Sequence, residues 1–293
     1  MSIFNKEIAV HNKGAYRKGE SGISVERCAA WENMDSQVTD NEQYEMLLEI
    51  IKGRRTCRNF SAKPLPEGAV EQILEAARWA PSGANSQPWS FIVIRSPEMR
   101  KKVFNAYCQI DMDLMWWMEQ MRESKYRHPG YRVDCDNPED GLKIKQSRKL
   151  WSEAPAIIAV AGDGRKQWGT VLGAHTFGMD KTHLTDSLSN ASMLIHLAAA
   201  SLGLTSQWMS VHTQGPLKEI LGIPDPLILH TLIPIGYPDD SVHLPKGGWR
   251  EPLETMTHEE CYDQAKHLNN RQILERLERL RTSTRGLYKP MVK

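Results

Sequence analysis

The chain has 293 residues, enough for one large domain or two small ones around a buried core. Its apolar fraction (40%) and charged fraction (25%) are those of an ordinary soluble globular protein, and a formal net charge of +1 gives nucleic acid or an acidic membrane no whole-protein attraction, so any anion site must be local. The five cysteines are scattered without metal-ligand spacing, the N-terminal stretch has no apolar signal core, and no apolar run approaches the roughly 20 residues of a membrane span. The expectation is therefore a cytoplasmic protein with reduced thiols, no metal and no nucleic-acid or membrane partner.

Residues 1–40 have no steady period and read as an arm. From Asn41 the pattern is helical, with Tyr44, Leu47, Leu48 and Ile51 on one face and Gly53 as its end. Pro66 opens a second helix with Val70, Ile73, Leu74 and Ala77 inward, and Pro81 closes it. SFIVIRS then reads as a buried strand. A long helical region follows, containing Met115, Trp116, Trp117 and Met118. It gives way to the polar, Gly/Pro-broken HPGYRVDCDNPEDGLK, so residues 105–148 read as a lid or insert.

A helix and the strand AIIAVAG come next. The most apolar helix begins at SLSNAS (Ser187 to Ser192) and ends at Gly203; TSQWMSV is a strand, PLKEILGIP a short helix and LILHTLIPIGYP another strand. The tail, 257–293, is an amphipathic helical extension, either an arm for a partner subunit or a solvated helix. Helix and strand patterns alternate throughout, which makes the class α/β or α+β.

Four stretches could carry chemistry. GRRTCRNF puts Arg54, Arg55 and Arg58 within five residues around Thr56. Guanidiniums so close repel unless an anion sits among them, although a solvated basic turn at a helix end is the plainer alternative. APSGANSQPW is bracketed by Pro81 and Pro88. Its short side chains would let a flat ligand approach the backbone, and Asn85 and Gln87 offer donors and acceptors to a heterocycle edge; a helix-to-strand turn would use the same residue types. SLSNAS at a helix start offers unpaired N–H groups that either cap or serve a ligand. Lys246 and Arg250, in PKGGWREPL, are candidate anion contacts. Cys57 among the arginines would have a lowered pKa if exposed. His196 reads as a satisfied interior histidine, His183 could enter a substrate site, and Trp208 with Met209 either line a pocket or fill the core, the core being preferred.

The ordered set, RRTCRNF before a helix, APSGANSQPW after it, then the Ser-rich helix start, GYP and a late Arg, resembles the nitroreductase superfamily of FMN-dependent oxidoreductases over roughly residues 45–255, nearest its iodotyrosine deiodinase-like branch. The resemblance implies an α+β, three-layer α/β/α fold around a mixed, mostly antiparallel sheet. It also implies a homodimer with swapped terminal extensions and FMN at the subunit interface, in a core domain spanning 41–256. Carried across residue by residue, Arg54, Arg55, Thr56, Arg58 and the late Arg250 would hold the FMN phosphate. Pro81, Ser82, Gly83 and Asn85 would lie along the isoalloxazine ring, with Gln87 near its polar edge. Ser189, with the Asn190 amide, would face flavin N5; a Ser189 hydroxyl there favours one-electron chemistry, and an amide alone is compatible with hydride transfer.

The implied activity is ping-pong reduction of a small aromatic acceptor (nitroaromatic, quinone-like or halogenated) by NAD(P)H. Oxygen-dependent flavin fragmentation and non-catalytic flavin binding are the alternatives. The family's acidic, Tyr and Lys substrate grip does not align here: Glu119, Glu123, Tyr126 and Lys143 are available at unmatched spacing. Trp116, Trp117 and Tyr126 are the substrate-side candidates, with core packing of a long helix as the alternative for the two tryptophans.

Overall fold

The computed structural model describes residues 41–121, 149–166, 180–240 and 250–285. Strands β1 (Trp89–Ile94), β2 (Ala156–Asp163), β3 (Thr205–Ser206), β4 (Met209–Ser210) and β5 (Leu227–Gly236) form a single sheet. Its order is β1-β2-β5-β3, with β4 also on β5 and every strand pair antiparallel. A parallel bridge between Thr56 and Ser206 adds the mixed character.

All eight residues of β2 are buried, because helices cover both faces of the sheet. On one face α2 (Ala69–Arg78) contributes Val70, Ile73 and Ala77, and α4 (Asp180–Ser201) contributes Leu184, Leu188, Ala191 and Ile195. They pack on Ile158, Val160, Ile233 and Ile235. On the other face α3 (Pro97–Gln120) supplies Val103, Phe104 and Tyr107, and α5 (Gly215–Leu221) supplies Leu217, against Ile157, Ala159 and Leu232. The result is the expected three-layer α/β/α arrangement. Each fully buried isoleucine in these layers removes apolar surface worth about 1.5–3 kcal/mol from water.

Four local differences from the sequence reading have physical causes. The stretch TSQWMSV holds one continuous register on β5, Ser206 opposite Ile235 and Met209 opposite Leu232, but is interrupted between them. Gln207 donates its N–H to the Pro234 carbonyl at 3.2 Å; Pro234 has no N–H to return, so the ladder is broken there. The helix expected to begin at SLSNAS instead begins at Asp180, so Ser187 to Ser192 lie inside α4. The front of the expected lid is core: Tyr107 and Cys108 are buried, and Tyr107 Oη donates to the Ser210 carbonyl at 3.0 Å. Finally, α1 (Glu42–Gly53) forms with its apolar face in place, yet none of its residues is buried and Tyr44 is 55% exposed.

After a one-turn helix, Leu253–Met256, the tail forms α6 (Asn270–Arg285), whose Arg276 forms an ion pair with Glu251. Its Leu274 and Leu277 are also exposed. Among the described residues no helix is long and apolar enough to cross a membrane.

Candidate functional site

The arginine segment leaves α1 and is stitched to the sheet. Thr56 bridges Ser206, and the Cys57 N–H donates to the Ser206 carbonyl at 3.2 Å. Alternation then turns Cys57 fully inward, while Arg54, Arg55 and Thr56 remain half-buried and Arg58 is exposed. Burial pushes the Cys57 thiol up despite Arg58 beside it, and its Sγ donates to the Asn59 carbonyl at 3.0 Å. The exposure on which a lowered, reactive thiol depended is absent, and Cys57 is a buried core residue. Arg55 turns its guanidinium back onto the Lys52 and Arg54 carbonyls at the end of α1. Arg54 is near enough for its charge to add to the lowering of the His196 pKa.

The loop after α2 is held in unusual backbone. Ala84, Asn85 and Gln87 have φ of 51°, 52° and 44°, a region that costs non-glycine residues of order 1–3 kcal/mol each. Ser82 Oγ accepts the Gln87 N–H at 3.0 Å, and the Gln87 side chain donates to Asn85 Oδ1 at 3.2 Å. Pro88 and Trp89 are buried and anchor the far end, where the Asp163 N–H donates to the Pro88 carbonyl at 2.8 Å. Pro81, Gly83, Asn85 and Gln87 are exposed and Ser82 half-buried, and nothing lies within 4 Å of where a Gly83 Cβ would stand. The strained turn thus presents backbone and amide side chains outward, as a surface for a flat molecule.

Helix α4 joins the two. Asn190 Nδ2 donates to the Pro81 carbonyl at 3.2 Å, tying the loop to the helix. One turn round the helix, Ser189, Ser192 and His196 share a face by their spacing of three and seven. Ser189 Oγ lies 3.3 Å from His230 Nε2 on β5. His196 is buried, with Nδ1 2.7 Å from Ser206 Oγ and Nε2 without a hydrogen-bond partner. Burial, with Arg54 adding to it, lowers the His196 pKa to about 4, and burial lowers that of His230. Both rings are therefore neutral near pH 7. Trp208 stacks on His196 at 5.9 Å and 26°, and meets His230 edge-on at 5.4 Å and 87°.

The nitroreductase family's sequence profile matches residues 51–237, more than half of the chain. The chain belongs to the nitroreductase family. Among its relatives, an iodotyrosine deiodinase of Drosophila melanogaster is 29% identical over 203 residues, 68% of this chain and 64% of that protein's own length. An archaeal protein described as a putative NADH dehydrogenase/NAD(P)H nitroreductase, from Archaeoglobus fulgidus, is 28% identical over 67% of this chain and 87% of its own. The fold is shared with an iodotyrosine deiodinase crystallised with FMN and 3-iodo-L-tyrosine, at TM-score 0.53 and 20% identity over 74% of this chain and all of that one. It is shared also with nitroreductase A from Vibrio parahaemolyticus, at TM-score 0.54 and 18% identity over 82% and 85%.

Within this nitroreductase-family chain, loop 81–87 is tied to α4 through Asn190, and segment 54–58 is joined to it through Ser206, which bonds Cys57 by its carbonyl and His196 by its hydroxyl. Arg250 is exposed and lies beyond the family match, next to the Glu251 paired with α6. Trp116 and Trp117 fall on the last turns of α3; Tyr126 and Lys246 lie outside the described residues. Three readings are corrected. The Asn190 N–H belongs to the interior of a helix that began ten residues earlier, so it is not an unpaired helix-start donor, and its side-chain amide donates to the Pro81 carbonyl. His196 is interior but only half satisfied. Trp208 is 38% exposed over the two histidines and does not fill the core, whereas Met209 does. Sequence reading missed His230. Its signal was available: two adjacent polar residues, His230 and Thr231, interrupt an otherwise apolar strand.

Proposed function

We propose that this chain is an FMN-dependent oxidoreductase that takes electrons from NAD(P)H and gives them to a small aromatic acceptor, working as a homodimer in ping-pong fashion. The observation that carries the reading is the gathering around α4 of a strained outward-facing loop tied to Asn190, a half-buried serine, Ser189, and a half-buried arginine segment linked to the helix through Ser206 and His196. The residues fit FMN: an anion needs fixed cationic donors, a flat ring needs a shelf with edge donors and acceptors, and both are present on rigid elements. FMN, when bound, supplies the electron chemistry.

The chain supplies position and hydrogen bonds. Arg54, Thr56 and Arg58 are the phosphate contacts, with Arg250 the late one, and Arg55 fixes their backbone through its bonds to the end of α1. Pro81, Ser82, Gly83 and Asn85 lie along the ring and Gln87 at its edge, held there by the Asn190–Pro81 tie. Ser189 offers its hydroxyl toward N5. The exposed apolar faces of α1 (Tyr44, Met46, Leu47, Ile51) and α6 (Leu274, Leu277) support a second copy of the chain as their cover.

Purified protein is expected to be yellow and to release FMN on denaturation. It should oxidise NAD(P)H in step with reduction of a nitroaromatic, quinone or iodotyrosine acceptor. A colourless protein that cannot be reconstituted with FMN overturns the reading. A sedimenting monomer that retains FMN overturns the dimer alone.

A further inference from the structure

We propose that His230 is a positioning residue that sets the donor direction of the Ser189 hydroxyl. This rests on the reading that Ser189 faces the cofactor, and it assigns a role to a residue outside all the motifs. Three serines, Ser187, Ser189 and Ser192, lie within two turns of α4. Ser187 Oγ folds back onto the His183 carbonyl at 2.9 Å, and Ser192 Oγ onto the Leu188 carbonyl at 2.7 Å, the usual outlet for a mid-helix serine. Ser189 reaches across to β5, placing its Oγ 3.3 Å from His230 Nε2.

The strand is built to make this contact. In the β2–β5 ladder Val160 faces Thr231 and Ala161 faces Leu229, so His230 is the extra residue of a β-bulge. Before the bulge Leu227 and Leu229 pack on the α3 side; after it Leu232 does so and Ile233 turns to the α4 side. The parity of the strand changes after His230: His230 keeps the α4-side direction of Ile228, and Thr231, opposite Val160, shares it, so the bulge sets two adjacent polar residues on one face. Trp208 then wedges the ring edge-on, itself stacked on a His196 tied to Ser206.

A serine hydroxyl has one proton to give, and a neutral imidazole has one N–H. If Nε2 carries that N–H, it donates to Ser189 Oγ and leaves the hydroxyl proton free to be given outward to a ligand. If Nε2 is bare, it takes the hydroxyl proton and Ser189 can then only accept from the ligand. An N5-facing donor requires the first arrangement.

The test uses His230→Gln, whose amide reaches the position of Nε2, together with His230→Asn, which falls short of it, His230→Leu, Ser189→Ala and the double variants. In FMN-loaded protein the midpoint potential of the bound flavin is read alongside kcat and KM. His230→Leu and His230→Asn should each move the potential in the same direction as Ser189→Ala and lower kcat about tenfold at unchanged acceptor KM. His230→Gln should restore most of both, and adding Ser189→Ala to His230→Leu should change nothing further. In FMN-free protein, Ser189→Ala should shift the His230 Nε2 resonance.

Additive effects in the double variant, or equal losses from His230→Gln and His230→Asn, overturn the assignment while the functional reading stands. An Nε2 resonance indifferent to Ser189→Ala overturns it without recourse to FMN. Failure to take up FMN at all defeats the functional reading itself, and with it the outward role of Ser189.

Discussion

Replacing Gly162 by alanine probes how closely α4 approaches the sheet, and hence how firmly Ser189 is placed. A Cβ at Gly162 would stand 2.4 Å from Leu188 Cδ1, 3.1 Å from Leu188 Cδ2 and 3.2 Å from Leu184 Cδ1. Ordinary carbon contacts lie at about 3.5–4.0 Å. Either α4 recedes by on the order of 1 Å, or Leu188, fully buried, is forced from its rotamer. Over-packing of this kind costs about 1–3 kcal/mol, which for a chain of this size lowers Tm by roughly 2–12 °C. The assay is urea unfolding of FMN-free protein at fixed concentration, with the m-value unchanged. Leu188→Ala alone should cost about 2–5 kcal/mol. Combined with Gly162→Ala, the new methyl occupies part of the vacated volume, so the pair should fall short of the sum by about 1 kcal/mol or more. An unaltered midpoint for Gly162→Ala, or strict additivity of the two, refutes the close approach.

Three further outcomes are expected. His196 is buried neutral with its pKa lowered from 6.5 to about 4, so the unfolded chain binds the proton more readily. Its contribution is complete above pH ~6.5 and is lost as pH falls toward 4, up to about 3 kcal/mol, with His230 acting in the same direction. His196→Gln should flatten that part of the stability–pH curve, and an unchanged slope counts against the burial argument. Arg54→Ala should weaken FMN binding about 10–100-fold, as loss of a charge-assisted bond does, and should raise the His196 pKa in proton NMR; an unmoved His196 would detach Arg54 from α4. Leu274→Glu with Leu277→Glu on α6 should shift sedimentation from dimer toward monomer while leaving the far-ultraviolet dichroism intact, and a persistent dimer would mean that α6 covers no partner.

The layered fold was legible because its signals are local. β1, β2 and β5 are apolar runs, and the face Val70, Ile73, Ala77 of α2 is a plain helical period. The helix start at Asp180 was not legible, since Asp180 to Asp186 carry polar residues on most positions and the Ser-rich step into the apolar part imitates a cap. The break between β3 and β4 required knowing that Gln207 faces Pro234, a fact of register that neither segment contains.

The site divides in the same way. Arg54, the Pro81–Gln87 loop and Ser189 were readable as residue types suited to an anion, a flat ring and a donor. What those types do depends on which atoms are already engaged. Arg55 gives its guanidinium to the Lys52 and Arg54 carbonyls, and Asn190 its side-chain amide to the Pro81 carbonyl. Ser189 instead reaches from α4 to His230 on β5. His230 follows Ile228 onto the α4 side of β5 and meets Ser189, and the extra residue of the bulge brings Thr231, opposite Val160, onto the same face, where its Oγ1 donates to the Met209 carbonyl at 2.9 Å. A bulge of this sort leaves its trace in the sequence as two adjacent polar residues where alternation demands one. The same doublet in an otherwise apolar central strand is therefore a sign of a bulge that sets two neighbours on one face, to be sought before the ladder itself is known.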